Sequence, residues 1–161
     1  MSEGFATGKE LQFVVFKLGN EEYGVPIIQV KEINRLTTTT KVPKSPVFIE
    51  GIINLRGQII PILNMKKRFD LTLTEYTGEA RFIVVQVVNH TFGIEVDSVS
   101  EVLRINSSDI EPAPYMVCGI DSQYITGVAK VEERLLILLD LDRLLSDEEK
   151  EQLQEFKNET A

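Results

Sequence analysis

Short apolar runs separated by polar turns set the hydrophobic pattern of this chain. Residues 12–36 read QFVVFKLGNEEYGVPIIQVKEINRL: an apolar run, a polar turn, and a second run in which Tyr23, Val25 and Ile27 alternate with other residues. Alternation with a period of two is typical of a strand that is buried on one face, and two such runs around a turn form a hairpin. The segment therefore predicts a β-hairpin.

This pattern occurs twice in the sequence. Residues 81–105, RFIVVQVVNHTFGIEVDSVSEVLRI, align without a gap on residues 12–36 at an offset of 69. The identical pairs are Phe13 and Phe82, Val15 and Val84, Asn20 and Asn89, Gly24 and Gly93, Val30 and Val99, Glu32 and Glu101, and Arg35 and Arg104. The paired glycines lie inside strand patterns, where a missing side chain marks a bulge or a close backbone approach. The chain therefore contains an internal repeat, and we predict the same local geometry in both copies.

A second correspondence follows each hairpin, at an offset of 76. GIINLRGQIIPILNMKKRF (51–69) aligns with GVAKVEERLLILLDLDRLL (127–145), and both read as strand, tight turn, strand and short helix. The intervening segments 37–46 and 105–123 are rich in Thr, Ser and Pro, and they predict loops. We therefore expect a mainly β protein that contains two related barrels of about five short strands each.

These patterns divide the chain into four segments. The expected division is a flexible N-terminal tail at 1–10, a first barrel half at 11–79, a second barrel half at 80–145 and a C-terminal helix at 146–161. Neither barrel buries much surface by itself, so we expect extensive packing between the two. The N-terminal strand is a candidate for exchange between the barrels.

The C-terminal segment LSDEEKEQLQEFKN carries the clearest helix signal. Ser146 is the expected N-cap, and Glu149 three residues later completes a capping box. The expected apolar stripe of this helix consists of Leu145, Leu153 and Phe156. We predict that the helix docks on a barrel through that stripe.

Composition narrows the class of function. The chain has 161 residues, is 43% hydrophobic and carries a net charge of -8. Such a charge repels phosphate backbones and anionic lipid, so nucleic acid is not an expected partner. No stretch approaches the roughly 20 apolar residues of a membrane helix, the N-terminus has no signal-peptide pattern, and Cys118 is the single cysteine. A cytoplasmic globular protein is therefore expected.

Groups that could carry catalysis are sparse. His90, the single histidine, falls in a predicted hairpin turn, and Cys118 has no neighbouring base in its Pro-rich loop. The acidic pairs within 132–133 and 140–142 fall in a predicted turn and at the end of a predicted strand. One cysteine and one histidine cannot form a zinc site by themselves. We therefore expect no catalytic residue, no metal and no cofactor.

Two features remain as candidates for contact with a partner. In the segment YGVPIIQVKEINRL the apolar residues fall on more than one face; one set forms core, and the other is either core as well or an interface edged by charge. The second feature is Arg56, a single positive charge between the aliphatic runs of GIINLRGQIIPILN. Gly57 suits a positive φ in a tight turn, which would display the arginine at the tip. Such an arginine could be an anion clamp, a solvated turn residue or a contact for another protein.

Two of these motifs carry a family resemblance. FVVFKLGNEEYGVPIIQVKEI, followed after a proline by FIEGIINLRGQIIPILNM, closely resembles the CheW family of bacterial chemotaxis coupling proteins. IEPAPYM and YITGVAKVEERLLILLDLDRLL extend the likeness through residue 145. The resemblance implies two SH3-like barrels and a non-catalytic adaptor. In this family the adaptor bridges the cytoplasmic tips of chemoreceptors to the histidine kinase CheA within membrane-associated arrays.

The resemblance also implies where the partner surfaces lie. The residues carried over to the receptor-binding region are Val30, Glu32, Gly51, Arg56 and Gly57, with Val99 and Val102 lining the same groove between the barrels. A receptor helix would lie in this groove against aliphatic walls. The kinase surface is implied on the outer face of the first barrel. A loop containing Glu111, Tyr115 and Met116 would face a neighbouring kinase domain in a ring, although Glu111 replaces a basic residue found in some relatives.

The resemblance further suggests that Glu32 holds Arg56. A guanidinium fixed by a carboxylate beside an apolar groove would keep its remaining donors for a receptor acceptor. Other classes of function stay open at this point: an SH3-like binding module of another kinase pathway, a nucleic-acid-binding barrel, which the acidic charge opposes, and a small β-barrel enzyme, which the sparse catalytic groups oppose.

Overall fold

Most of the described chain is β-structure. A computed structural model describes residues 9–71, 77–113, 116–117 and 120–152. The strands are, in chain order, β1 (Glu10–Leu18), β2 (Glu21–Pro26), β3 (Val30–Arg35), β4 (Ile49–Leu55), β5 (Gln58–Asn64), β6 (Arg81–Val87), β7 (His90–Val96), β8 (Ser98–Asn106), β9 (Ile110–Glu111), β10 (Met116–Val117), β11 (Ile120–Asp121), β12 (Ile125–Val131) and β13 (Arg134–Leu139). The short helical elements are α1 (Met65–Arg68) and the 3-10 turns Ile27–Gln29, Ser107–Asp109, Ser122–Tyr124 and Leu141–Arg143.

Two main sheets are built from these strands. One has the order β8-β1-β2-β13-β12-β9, the other has the order β3-β6-β7-β5-β4, and β10 with β11 forms a separate two-stranded ribbon. The expected mainly β fold with two SH3-like barrels is therefore confirmed. One sheet has six strands rather than about five, because β9 pairs with β12 at its edge.

The two copies of the repeat exchange their first hairpins. The hairpin β1–β2 pairs with β8 on one side and, in parallel, with β13 on the other, and both partners come from the second copy. Reciprocally, β6–β7 pairs with β3 and, in parallel, with β5, which come from the first copy. The sheets thus cut across the chain halves 11–79 and 80–145. An approximate twofold axis that exchanges the copies maps one set of pairings onto the other.

Matched glycines allow the two parallel pairings to pack closely. Gly24 on β2 lies opposite Leu138, and Gly93 on β7 lies opposite Ile62. A Cβ atom at Gly24 would lie 3.1 Å from Leu138 Cδ2, and one at Gly93 would lie 2.6 Å from Ile62 Cδ1. The expected matching geometry at the two glycines is confirmed, but the expected bulge or close backbone approach is wrong: the ladders are regular there, and the close neighbour is an aliphatic side chain of the parallel strand.

The main hydrophobic core lies between the two sheets. Its largest cluster contains Phe16 and Tyr23 from the six-stranded sheet together with Ile83 and Ile94 from the five-stranded sheet. Two smaller clusters each belong to a single sheet. Because most of the apolar burial is shared, neither sheet has a large core of its own, and the packing between the barrels supplies most of the apolar contact.

Two local expectations were wrong. Segment 105–123 is not a continuous loop: it contains the end of β8 and the short strands β9, β10 and β11, because backbone pairing satisfies polar groups there irrespective of the loop-like composition. Ile27 does not continue strand β2. That strand ends at Pro26, which has no N–H to donate to a sheet, and Ile27 begins a 3-10 turn.

The predicted capping box opens the C-terminal helix. Ser146 Oγ accepts a hydrogen bond from the Glu149 N–H at 3.1 Å, and Glu149 Oε1 accepts one from the Ser146 N–H at 2.8 Å. The helix begins at residue 147 and is described to residue 152. Leu145 is buried as expected, whereas Leu153 and Phe156 lie outside the described residues. Within the described part, no helix is long and apolar enough to cross a membrane.

Arg68 attaches this helix through a charged contact that the sequence did not predict. Its Nη1 and Nη2 atoms donate to the two carboxylate oxygens of Glu149 at 3.0 and 2.9 Å. Its guanidinium carbon also lies 4.4 Å from the ring centre of Phe48 and 5.2 Å from that of Tyr124. Bidentate pairing and ring stacking both favour arginine over lysine. Arg68 therefore holds the first turn of the helix against the protein.

Candidate protein-binding site

The edge strands β3 and β8 carry the apolar residues that the sequence assigned to a groove. Val30 on β3 and Val99 on β8 are half-buried and pack against the cluster between the sheets. Further along the same strands, Ile33 is 41% exposed and Val102 is 49% exposed. The structure therefore places Val102 at the surface and Val30 and Val99 at the margin of the core.

The two edge strands are equivalent under the repeat. Val30 lies opposite Val85 and Ile33 opposite Ile83, while in the other sheet Val99 lies opposite Phe16 and Val102 opposite Val14. The partners of Ile33 and Val102 both belong to the cluster between the sheets. Because paired residues of antiparallel strands project to the same face, Ile33 and Val102 both face that side. Both edge strands therefore turn aliphatic residues to the side of the shared cluster, and we call these residues together the apolar margin.

Arg56 occupies the tip of a two-residue hairpin turn. Leu55 and Gln58 are the last pair of the β4–β5 ladder, so residues 56 and 57 alone make the turn. Both have positive φ angles, 53° at Arg56 and 88° at Gly57, as a type I′ turn requires. The Gly57 N–H donates to Asn54 Oδ1 at 2.8 Å, which stabilises the turn from inside. The predicted turn is confirmed.

Glu32 on β3 holds the Arg56 side chain. Nη1 of Arg56 donates to Glu32 Oε1 at 3.2 Å, and Nη2 contacts Oε2, so the pair is bidentate. The Arg56 side chain is nevertheless 70% exposed. The hydrogen bond from Arg56 lowers the pKa of Glu32 below its ordinary value, and the same contact raises the pKa of Arg56. Both groups are therefore charged at neutral pH, and the predicted contact between them is present.

The second copy has a different ion pair at the corresponding position. Glu101, the counterpart of Glu32, accepts from Arg134 Nη2 at 2.8 Å, and Arg134 also donates to both oxygens of Glu22 at 2.9 and 2.8 Å. The hydrogen bond from Arg134 lowers the pKa of Glu22. Arg134 is thus engaged by two carboxylates. Among the described residues, Arg56 donates only to Glu32, which leaves N–H groups directed at solvent.

Gly51 lies on strand β4, which leads into the Arg56 turn. It is buried in a β-bulge of β4 and has a φ of 156°. A Cβ atom there would lie 2.7 Å from the Thr40 carbonyl oxygen. Its counterpart Gly127 sits in the matching bulge of β12, where a Cβ would lie 2.9 Å from the Glu111 carbonyl oxygen. The fold itself therefore requires glycine at both positions, and a partner does not reach Gly51 directly.

A second apolar surface surrounds the 3-10 turn after β2. Ile28 is 90% exposed and Ile27 is also exposed. Next to them is an open cleft of about 440 Å³, whose walls include Leu11, Phe13 and Thr126. None of its lining residues belongs to the β3 and β8 margin. The molecule thus offers two separate apolar surfaces. The sequence alone had left open whether the apolar residues of segment 23–36 form core or an interface.

The structure describes only some of the other residues that the sequence singled out. Glu111 is exposed on β9, Met116 lies in the ribbon strand β10, and Tyr115 and Cys118 lie outside the described residues. His90 is half-buried and begins β7, so it lies beside the turn rather than in it. No cluster of three or more possible metal ligands occurs among the described residues.

The ion pair between the buried Lys66 and Asp97 was not predicted from the sequence. Lys66 on α1, whose side chain is 2% exposed, places Nζ 2.7 Å from Asp97 Oδ1. The other oxygen of Asp97 accepts from the Gly19 N–H at 2.7 Å, and the Asp97 N–H donates to the Lys17 carbonyl at 3.0 Å. A signal was available in the repeat, since Ile28 stands where the second copy has Asp97.

Both sequence and fold are similar to those of known chemotaxis proteins. Residues 12–149 match the model of the CheW-like domain family. The chain is 40% identical over 146 residues to the chemotaxis protein CheW of Klebsiella aerogenes, covering 91% of this chain and 87% of the relative, and 38% identical over 151 residues to that of Treponema pallidum, covering 90% and 88%. The crystal structure of the scaffolding protein TtCheW from Thermoanaerobacter tengcongensis matches with a TM-score of 0.83 and 37% identity, over 95% of this chain and 99% of that one. The chain belongs to the CheW-like domain family.

Proposed function

We propose that this chain is a non-catalytic chemotaxis adaptor that couples the cytoplasmic tips of chemoreceptors to the histidine kinase CheA. The observation that carries the proposal is the margin formed by β3 and β8, where Ile33 and Val102 are exposed, together with the Glu32–Arg56 pair that extends from the same strand β3. Relatives described as chemotaxis proteins and as a scaffolding protein support it. The function would place the protein in the cytoplasm, recruited to membrane-associated receptor arrays.

In this proposal the margin between the barrels receives a receptor helix. Two edge strands with aliphatic side chains suit the apolar stripe of an amphipathic helix, and Val30 and Val99 close the floor of the groove. Arg56 stands at the rim with its carboxylate partner already in place. Its remaining donors would bind an acceptor on the helix at little cost in side-chain entropy, because Glu32 fixes the guanidinium beforehand.

An adaptor also needs a surface for its second partner. We assign the regulatory domain of CheA to the exposed surface at Ile27 and Ile28, beside the cleft that Leu11 and Phe13 line. Exposed aliphatic side chains next to a concave apolar surface are typical of a protein interface. The contact of Glu111, Tyr115 and Met116 with a neighbouring kinase domain in a ring remains a prediction.

The two surfaces should respond to mutation independently. Val102→Glu is expected to raise the Kd for a receptor-tip fragment about tenfold or more, because it places a charge in a desolvated apolar contact. Ile28→Glu should do the same to the Kd for the CheA regulatory domain. Each variant should leave the other affinity within about twofold. Isothermal titration calorimetry with each purified partner measures both constants.

Val88 offers a matched control for these variants. It is an equally simple exposed aliphatic residue, 76% exposed at the β6–β7 turn, and it belongs to neither surface. Val88→Glu should therefore change neither affinity. Val30 is a poorer test than Val102, because a charge there would also disrupt its packing against the core. Loss of both affinities in a folded Val102→Glu protein would contradict the division into two surfaces.

Replacement of Arg56 should impair receptor control of the kinase without unfolding the protein. Arg56→Ala removes the guanidinium from an exposed turn, and Arg56→Gly removes it while relieving the positive φ. Both should lose receptor-dependent regulation in a reconstituted phosphorylation assay, and both should still bind CheA. Arg56→Lys should rescue poorly, since an ammonium lacks the planar fork. Full receptor-dependent control by Arg56→Gly would remove Arg56 from the site.

A further inference from the structure

The proposed groove consists of two halves that the internal repeat makes equivalent. The approximate twofold axis exchanges β3 with β8, so Val30 corresponds to Val99 and Ile33 to Val102, each with the same ladder partner position in its sheet. A rotation about this axis turns a helix lying across the groove into one that runs in the opposite direction. The aliphatic side chains and the backbone therefore fit either direction almost equally well.

The two sides of the groove, which we call the β3 lip and the β8 lip, differ in charge. The β3 lip comprises Lys31, Glu32, Arg35, Arg56, Gly57 and Gln58. The β8 lip comprises the corresponding residues of the second copy, Ser100, Glu101, Arg104, Glu132, Glu133 and Arg134. The β3 lip has three basic residues and one acidic residue, whereas the β8 lip has two basic and three acidic residues. One rim is therefore net positive and the other net negative.

The arrangement of partners increases this difference. On the β3 lip, Arg56 donates to Glu32 and keeps further donors in solvent. On the β8 lip, Arg134 pairs with Glu22 as well as with Glu101, so carboxylates of the protein itself already neutralise its charge. At the tip of that hairpin Glu132 takes the place of Arg56, and it is exposed. The two hairpin tips thus present opposite charges to a partner.

We propose that this difference between the lips sets the direction of the bound helix, with its acidic half on the β3 lip and its basic half on the β8 lip. The inference rests on the proposed function, which supplies the helix. Aliphatic contact provides affinity in both directions, and the charges select one of them, because the reversed helix would face like charges at both rims. The partner is therefore a helix with an apolar stripe and with acidic and basic residues segregated towards opposite ends.

Two synthetic helical peptides of about 20 residues, about 30 Å long as helices, test the direction. Both carry the same apolar stripe; the first has an acidic N-terminal half and a basic C-terminal half, and the second has the halves exchanged. Each carries a nitroxide at its N-terminus. The measurement is the paramagnetic broadening of the amide signals of Ile33 and Val102 in the whole protein. Because the helix dipole has the same direction in both peptides, any difference between them comes from the side chains.

The first peptide should broaden Ile33 more than Val102 by about threefold or more, and the second peptide should reverse the ratio. In the double variant R56E/E132R the β3 lip has two basic and two acidic residues, and the β8 lip has three basic and two acidic residues. The β8 lip is then the more positive of the two, so both ratios should reverse, with a smaller difference than in the unmodified protein. Raising the salt concentration from about 0.1 M to about 1 M shortens the screening length from about 10 Å to about 3 Å and should abolish the bias while binding persists.

If each peptide broadened the signals of Ile33 and Val102 equally, the charge-based direction would be overturned, whereas the groove would remain supported as the binding site. If neither peptide binds, a spin-labelled receptor-tip fragment distinguishes failure of the charge-based direction from failure of the proposed groove. Broadening by that fragment alone would overturn the charge-based direction and keep the proposed function. Absence of broadening by the fragment as well would overturn the groove and the proposed function together.

Discussion

Replacing Gly51 by alanine is expected to destabilise the protein by about 2 to 4 kcal/mol and to lower its Tm by roughly 5 to 15 °C. Two effects add at this position. A φ of 156° is one that residues with a side chain rarely adopt. The new Cβ atom would also lie 2.7 Å from the Thr40 carbonyl oxygen. That oxygen accepts from the Ile52 N–H at 2.8 Å, so it cannot move away without breaking a backbone hydrogen bond.

Two other glycines separate the causes of this effect. Gly57 has a φ of 88°, but no atom lies within 4 Å of the position that a Cβ would take, so Gly57→Ala should show the backbone strain alone, about 1 to 2 kcal/mol. Gly78 has open space and no positive φ, so Gly78→Ala should be nearly neutral. Thermal and urea denaturation rank the three variants. A Gly51→Ala protein as stable as Gly57→Ala would show that the Thr40 segment yields without cost.

The Gly51→Ala variant also tests whether Gly51 affects partner binding. The residue is buried, so its replacement would change the proposed receptor surface only through the fold. At a temperature where Gly51→Ala is still folded, its affinity for CheA should be close to that of the unmodified protein. Selective loss of receptor binding under these conditions would indicate that the bulge positions the Arg56 hairpin, which begins four residues later.

The repeat made much of the architecture predictable from sequence. Alternating apolar residues, polar turns and two matched glycines gave the hairpins, and the same glycines gave matching geometry in both copies, with Gly24 against Leu138 and Gly93 against Ile62. These features are local, or they repeat a local signal. For the same reason the turn at Arg56 and Gly57 and the capping box at Ser146 were predicted correctly.

The sequence did not specify which hairpin joins which sheet. That choice is made by parallel pairings between distant strands, such as that of Leu138 with Gly24, and no local pattern records them. The same applies to the contacts of Arg68 with Glu149 and of Arg134 with Glu22. Charged residues in an amphipathic pattern are usually solvated, and only the folded chain shows which of them meet a partner.

The Lys66–Asp97 pair illustrates a signal that lies in the differences between the copies. The counterparts of Gly19, Lys66 and Asp97 are Val88, Asp142 and Ile28. Ile28 has no carboxylate, and both Ile28 and Val88 are exposed, so the symmetry-related position has no equivalent of this contact. Here the second copy has an aspartate where the first copy has an isoleucine. Such a departure from the repeat pattern therefore indicates a contact that is present at only one of the two equivalent positions.

Replacing Asp97 by alanine is expected to destabilise the protein by about 3 to 5 kcal/mol, because it removes the carboxylate that pairs with the buried ammonium of Lys66. Asp97 lies where the chain leaves β7 for β8, and it also accepts from the Gly19 N–H in the β1–β2 turn. The change should therefore release the exchanged hairpin. Hydrogen exchange at the β1–β2 turn should increase more than exchange in the centre of β6.

A second substitution distinguishes a buried charge from a simple loss of contact. Lys66→Met in the Asp97→Ala background removes the buried ammonium at similar volume, and it should recover at least half of the lost stability. Gly19 is exposed, so water replaces the hydrogen bond that Asp97 accepted from its N–H.

Arg143 is the matched control: its side chain is 68% exposed, and its Nε lies 3.6 Å from Asp140 Oδ2. Arg143→Ala should cost less than about 1 kcal/mol. If the double variant were no more stable than Asp97→Ala, the destabilisation would come from the lost contacts of Asp97 itself, and the exchanged hairpin would be held by its hydrogen bonds to Gly19 and Lys17 and not by the ion pair.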